Sequence, residues 1–303
     1  MREMLKAALK NLPPIRGLVA ERDAMVKAGG FVPPGHFYSP VVSIEEATRD
    51  QARIFREPTR SVPGIDFNES AQLELLACFE GFYASIPFHP RKTDGQRYYY
   101  ENPAYSYSDA IFLHCMIRHL SPSRIIEVGS GFSSCAILDT NAAFFDNHIS
   151  TLFVEPYPTL LNSLITDEDR RRIEIVPQRL QDVALGIFAE LRPNDILFVD
   201  STHVSKAGSD VNFLFFEILP ELKSGVFIHI HDVFHPFEYP KEWILGGRSW
   251  NEMYLLRAFL QYNAQFEIVF MNTFIECMHE DRIRQNMPLC LKNPGGSIWL
   301  RKR

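Results

Sequence analysis

The sequence predicts an α/β chain: a doubly wound, mostly parallel sheet preceded by a mainly helical and irregular N-terminal extension. Three observations predict it. From about Tyr105 onward, short apolar runs alternate with stretches of helical period. Those runs are apolar throughout rather than at every second position, as expected of strands covered on both faces. The first hundred residues lack such runs and are rich in proline and aromatic residues instead, as in GGFVPPGHFYSP (29–40) and SIPFHPRK (85–92). The expected division is an extension over 1–100 and a main domain over 101–303.

In the extension, MREMLKAALKNLPP (1–14) is mildly amphipathic without the apolar centre of a signal peptide, and is expected to be a surface or partner-binding helix. Ser43 is placed to cap a helix over Ile44–Phe55. A second helix is expected over Glu69–Phe82, with Leu73, Leu76, Cys78 and Phe79 toward one side. In the main domain, Ala110, Leu113 and Ile117 form one stripe of a helix over Ser108–Leu120. Strands are then expected at Arg124–Val128, Thr151–Val154, Ile173–Val176, Ile196–Val199, Val226–Ile230, Phe266–Phe270 and Ser297–Leu300. Helices are expected from Ser133, over Gln181–Leu191, over Asp210–Leu222 before Lys223-Ser224-Gly225, and over Asn251–Tyr262.

Strands separated by helices imply right-handed crossovers. In such sheets ligands bind beyond the carboxyl ends of the strands. The polar residues at those ends are Glu127–Ser134, Glu155, Gln181 and Asp182, Asp200–His203, and His231–His235. They fall at five successive strands, which is more informative than any one motif.

The bulk properties narrow the partners. A net charge of −6 counts against a nucleic-acid partner, which needs a basic face. The sequence holds no apolar run of membrane-spanning length. Five scattered cysteines without a paired spacing fit reduced thiols in a cytoplasmic protein.

The stretch RIIEVGSGFSSCAILD (124–139) points to the cofactor. Gly129 and Gly131 remove Cβ atoms where a tight turn and a close ligand are expected. Free N–H groups at the helix start favour an electronegative group. Glu155, about one crossover later, is placed to accept hydrogen bonds from ribose hydroxyls. A dinucleotide fingerprint wants a third glycine where Ser134 stands. Glu127, two residues before the first glycine, would repel a pyrophosphate and attract a ligand carrying an ammonium and a sulfonium. That pattern points to S-adenosylmethionine (SAM).

The segment EVGSGFSS (127–134) resembles motif I of the class I SAM-dependent methyltransferases. The resemblance covers about residues 100–303 and implies a Rossmann-like, seven-stranded sheet whose last strand is antiparallel. It implies that Glu127, Gly129 and Gly131, with Ser130 and Ser133 of the same turn, serve the methionine part of SAM. It further implies that Glu155 binds ribose and that Gln181 and Asp182 frame adenine, with Arg179 or Leu180 as alternatives for the last role. In YYYENPAYSYSDA (98–110), Tyr105, Tyr107 and Asp109 are candidates to fold over the cofactor, or else form an aromatic packing seam.

Methyl transfer to a hydroxyl needs alignment and a way to remove a proton. FVDSTH (198–203) and HIHDVF (229–234) supply acids and histidines for that. The arrangement is similar to that of catechol-type, Mg-dependent O-methyltransferases and, further off, of metal-dependent macrolide sugar O-methyltransferases. The resemblance implies Asp200, His231 and Asp232 as ligands of a divalent metal, Mg or Mn, with His203 standing where those enzymes carry a lysine base. A histidine ligand suits Mn, Fe or Zn better than Mg. The metal-free alternative makes His203 or His231 the base, oriented by Asp232. His229 is expected to satisfy a core hydrogen bond.

The stretch HPFEYPKEWILGGRSWNEMY (235–254) is expected to wall the pocket of a small acceptor. There Tyr239, Trp243 and Trp250 offer flat surfaces and Arg248 a guanidinium. With PPGHFYSP (33–40), this stretch resembles a group of bacterial methyltransferases of unassigned substrate. The expected function is O-methylation of a small hydroxylated acceptor, sugar-like or aromatic. The alternatives are a non-haem iron oxygenase using His203, His231 and Asp232, and a catalytically silent SAM-binding interaction protein. A lid and a homodimer arm are both open for the extension.

Overall fold

The computed structural model describes residues 13–28 and 31–303, so the segment expected to be helical over 1–14 lies almost wholly outside the described residues. The chain forms two compact units. One holds the described residues up to Arg56 together with Pro240–Ser249; the other holds Glu57–Tyr239 and Trp250–Arg303.

The larger unit carries a seven-stranded sheet. Its strands are β1 (Arg124–Val128), β2 (Ser150–Val154), β3 (Glu174–Val176), β4 (Ile196–Val199), β5 (Phe227–His231), β6 (Phe266–Met271) and β7 (Ser297–Lys302), in the order β3-β2-β1-β4-β5-β7-β6. Strands β1 to β5 are parallel, and β7 runs antiparallel to both β5 and β6. The Rossmann-like sheet and its antiparallel last strand agree with the sequence. All of β4 and β5 is buried, which is why β4 reads as an unbroken apolar run and β5 as one broken only by His229 and His231. Strand order reverses between β1 and β4, and the crevice outside their carboxyl ends is where a doubly wound sheet binds its ligand.

The helix Tyr107–Leu120 is buried around most of its circumference and packs on both Glu69–Tyr83 and Phe132–Phe145. Arg97 ties the segment before it to the sheet layer. Its guanidinium donates to Asp139 Oδ1 at 2.6 Å and grips both Asp169 oxygens, while the Arg97 and Tyr98 amides also donate to Asp139. All three charged side chains are largely buried. Burial alone would oppose charge on Arg97, yet the two carboxylates hold its pKa above the ordinary value.

Several elements depart from the sequence reading. The helix expected over Gln181–Leu191 is a 3-10 turn, Leu180–Asp182, and a separate α turn, Gly186–Ala189. Val183 between them is extended, and Gly186 is a poor helix former. The helical run Asp210–Glu221 opens into a π turn over Leu214–Ile218, just before Pro220, which lacks the N–H needed to close on Phe216. Short helices at Thr159–Leu164, Asp167–Arg170, Asn272–Met278 and Glu280–Asn286 were not anticipated.

In the smaller unit, the helix expected over Ile44–Phe55 breaks at Asp50 into Ile44–Arg49 and Gln51–Ile54. Asp50 instead takes hydrogen bonds from Arg49 and Arg53. Ser43 Oγ caps the first piece by accepting from the Glu46 amide, as expected. The helix Lys241–Leu245 packs against Ile44–Arg49.

Candidate active site

The turn after β1 is shaped by Gly129, whose φ of +81° lies in the left-handed region. A Cβ built there would stand 2.8 Å from the Asp200 carbonyl carbon and closer still to its oxygen. Gly131 differs from the sequence expectation. Its backbone is extended, and an added Cβ would meet only Leu160 Cδ2, at 3.4 Å. The protein itself therefore requires glycine at 129 and not at 131.

Glu127 is fully buried beneath this turn. Its oxygens accept from Ser133 Oγ at 2.5 Å and Ser134 Oγ at 2.6 Å, and Ser134 Oγ in turn accepts from the Gly131 amide at 3.0 Å. Burial, opposed by the two serines and aided by Asp200 and Glu155, pushes Glu127 up to about 8. The serine in place of a third glycine thus braces the turn. Glu155, just beyond β2, accepts from the Ser130 amide at 3.1 Å and the Tyr157 amide at 2.8 Å.

Gly129 and Glu155 line two adjoining clefts. A cleft of about 530 Å³ runs past Glu155, Tyr157, Arg179, Leu180 and Gln181. A smaller one of about 170 Å³ is lined by Tyr105, Ser130, Gly131, Ser133 and neighbours, and the two share Gly129, Glu155 and Asp200. Gln181 is fixed by donating to the Gly208 carbonyl at 3.0 Å. Asp182 faces elsewhere: it is bonded to Arg179 at 2.8 and 3.1 Å and does not line the cleft. Glu127 does not line it either, and reaches it through Ser133.

At the β4–β5 side of Asp200 the structure assembles an acid–histidine cluster. His203 Nε2 lies 3.2 Å from Asp200 Oδ1 and 3.5 Å from Asp232 Oδ2, and Nδ1 lies 2.9 Å from Glu252 Oε2. Burial opposes charge on His203, but Asp200 and Glu252 outweigh it and raise its pKa to about 10. Burial likewise opposes charge on His231; Asp200, Asp232 and Asp109 overcome it and hold the pKa above the ordinary value. Asp200 is pushed up by burial and pulled down further by His231 and His203, so it stays below the usual range. His203 and Asp232 both sit at positive φ, +59° and +56°, as side chains at functional turns sometimes do.

Asp200, His231 and Asp232 each offer one ligand atom, and these atoms all lie within 4.8 Å of one another. Two carboxylate oxygens and an imidazole nitrogen are a donor set that a divalent ion such as Mn can accept.

The remaining candidates fall in different places. Tyr105 lines the smaller cleft, with its ring 5.2 Å from that of His231. Tyr107 is stacked on Tyr100 at 4.5 Å, a packing role. Asp109 is buried and accepts from Asn272 Nδ2 at 3.0 Å and the Gly296 amide at 3.1 Å. Trp250 packs on His203, 4.4 Å between ring centroids. Tyr239 is 4% exposed and backs Trp250 edge-on instead of offering an open face. Trp243 and Arg248 belong to the smaller unit, where the guanidinium lies 4.0 Å from the indole centroid. His229 departs from expectation. Neither ring nitrogen has a hydrogen-bond partner, and the ring is stacked on Phe198 at 4.1 Å. Its register partners on β4 and β7 are Phe198 and Trp299, which leaves it between aromatic faces. Sequence reasoning missed Glu252, which stands 49 residues from His203 with no local pattern joining them.

Over residues 126–233 the sequence matches a family described as a methyltransferase domain. An uncharacterised protein of Archaeoglobus fulgidus is 36% identical over 196 residues, which span 62% of this chain and 84% of that protein. Among solved structures, a Podospora anserina methyltransferase bound to S-adenosylhomocysteine (SAH) is similar at 14% identity. The match covers 86% of this chain and 96% of that one, with a TM-score of 0.43. The O-methyltransferase TomG of Streptomyces achromogenes, involved in tomaymycin synthesis and solved with SAM, is similar at 14% identity, 84% and 96% coverage and a TM-score of 0.43.

Proposed function

Because the chain belongs to the class I SAM-dependent methyltransferases, we propose that it transfers the SAM methyl group to a hydroxyl of a small acceptor, sugar-like or aromatic, at the cluster of Asp200, His203 and Asp232. One observation carries this reading. Asp200 lines both parts of the crevice and is also within hydrogen-bond reach of His203. The methyl donor and the proton-handling groups therefore meet at one residue.

In this reading the larger cleft takes the adenosine. Glu155 accepts from the ribose hydroxyls, while Gln181, Leu180 and Arg179 border the adenine. Ser130, Gly131 and Ser133 border the methionine part, with Glu127 holding Ser133 in place. Asp182 keeps Arg179 in position rather than touching the base. The acceptor enters beside Trp250. Its hydroxyl is brought to the cluster, where His203 Nε2 is the nitrogen that faces the two carboxylates. Tyr239 is assigned to the support of Trp250.

A second reading has its own observation, the converging donor atoms of Asp200, His231 and Asp232. Those residues would hold a divalent ion, which supplies Lewis acidity that lowers the pKa of a coordinated hydroxyl. In either case the chain's own work is to align the acceptor behind the sulfonium carbon and exclude water from it.

The test has two parts. Isothermal titration with SAH should show binding, which Glu155→Ala weakens. SAM turnover to SAH is then followed against catechols, hydroxylated aromatic acids and monosaccharides, with Mn and with a chelator. Turnover on none of these hydroxyls, together with turnover on an amine or thiol, would overturn the O-methyl assignment. Turnover insensitive to the chelator would decide against the metal.

A further inference from the structure

Three consecutive residues, Trp250, Asn251 and Glu252, hold His203 from one side. The Trp250 ring lies against the imidazole. The amides of Asn251 and Glu252 both donate to the His203 carbonyl, each at 3.1 Å. The Glu252 carboxylate reaches Nδ1 at 2.9 Å. Asn251 also clamps the chain two residues on, accepting from the Ser205 amide at 2.6 Å and donating to its carbonyl at 3.2 Å. His203 needs such a clamp, because its backbone is left-handed, a conformation that a non-glycine residue keeps only when its surroundings impose it.

Glu252 is 1% exposed and opens the helix Glu252–Gln261. A buried carboxylate of this kind is costly unless it is paired, and its partner here is the imidazole. With Nδ1 taken up by Glu252, the other nitrogen is the one turned to Asp200 and Asp232.

We propose that Glu252 is a positioning residue: it accepts the Nδ1 proton of His203 and so fixes the ring orientation that turns Nε2 toward Asp200 and Asp232. This rests on the reading above, in which His203 acts on the acceptor. A carboxylate that fixes the protonated nitrogen of a histidine leaves the opposite nitrogen with a defined role, which is how such pairs work elsewhere. The buried Oε1 of Glu252 has no hydrogen-bond partner, so the interaction with His203 is what orients the carboxylate.

The experiment is a long-range 1H–15N correlation of the full chain labelled with 15N-histidine, the His203 ring being assigned by its loss in His203→Gln. The expected spectrum shows a protonated Nδ1 in the wild type. In Glu252→Gln and Glu252→Leu, the His203 ring signals move, because Nδ1 has lost its carboxylate acceptor. Circular dichroism and SAH affinity should stay unchanged to within about twofold. An unprotonated Nδ1 in the wild type, or His203 signals identical in wild type and a folded Glu252→Leu, would overturn the proposal. Should the variants fail to fold, the wild-type Nδ1 state still decides. SAH binding is read separately, so loss of cofactor binding in the wild type would sink the transferase reading while leaving the Glu252 result to stand or fall by itself.

Discussion

Replacing Gly129 by alanine tests the geometry on which the crevice depends. Alanine at φ +81° pays a left-handed penalty of roughly 1–2 kcal/mol. The new methyl would stand 2.8 Å from the Asp200 carbonyl carbon. Carbon atoms sit at about 3.5–4.0 Å in good contact, so the ends of β1 and β4 must part by on the order of 1 Å. Two hydrogen bonds hold the turn in place: Asp200 N to Val128 O at 2.9 Å, between β4 and β1, and Gly129 N to Val154 O at 3.0 Å, between β1 and β2. Weakening both costs about 1 kcal/mol each, for a total loss of roughly 3–4 kcal/mol. SAH affinity should fall at least about tenfold, because the displaced residues line both parts of the crevice. Urea unfolding gives the first number and isothermal titration the second. Gly131→Ala is the control, expected to change stability by less than about 0.5 kcal/mol because its backbone is extended and its methyl meets one flexible side chain. A Gly129→Ala protein as stable as the wild type and binding SAH as tightly would refute the reasoning.

Arg97→Met should destabilise the fold by about 3–5 kcal/mol, because it leaves Asp139 and Asp169 buried without their cation; urea unfolding checks this, and a loss under about 1 kcal/mol would contradict it. Glu155→Ala should weaken SAH binding about tenfold or more in calorimetry while the protein stays folded. Burial, opposed by its bond from Ser108, raises the pKa of Glu276 from 4.5 to about 8. The folded state therefore keeps a proton that the unfolded chain releases. The stability this group contributes is fully present below pH 4.5 and is lost as pH rises toward 8. Relative to wild type, Glu276→Gln should gain stability across that window, by at most about 1.4 kcal/mol per pH unit in denaturant titrations at successive pH values. A difference that is flat with pH would show that Glu276 is ionised in the fold.

Much of the sheet was legible because buried parallel strands carry a local signature. Arg124–Val128 and Ile196–Val199 were read to the residue, and most of the others to within one or two at their starts. The acids after those strands were legible for the same reason: once strand ends are known, topology says which end carries ligands. What stayed hidden was set by tertiary contact. Nothing near Glu252 or Arg97 announces a partner 49, 42 or 72 residues away. Nothing in the sequence announces that Ser133 and Ser134 both donate to Glu127. The oxygenase alternative called for His203, His231 and Asp232; these side chains do lie close together, but in a doubly wound sheet whose sequence matches a methyltransferase domain.

Asp200 joins the two halves of the molecule's work within one peptide unit. Its amide is bonded to the last residue of β1, its carbonyl crowds the space beside Gly129, and its carboxylate lies against His203. In the proposed reading, donor seating and proton removal thus share a single mechanical element. In that reading, redesign for a new acceptor is best directed at the Trp250 side, because any change that shifts residue 200 would disturb both substrates at once.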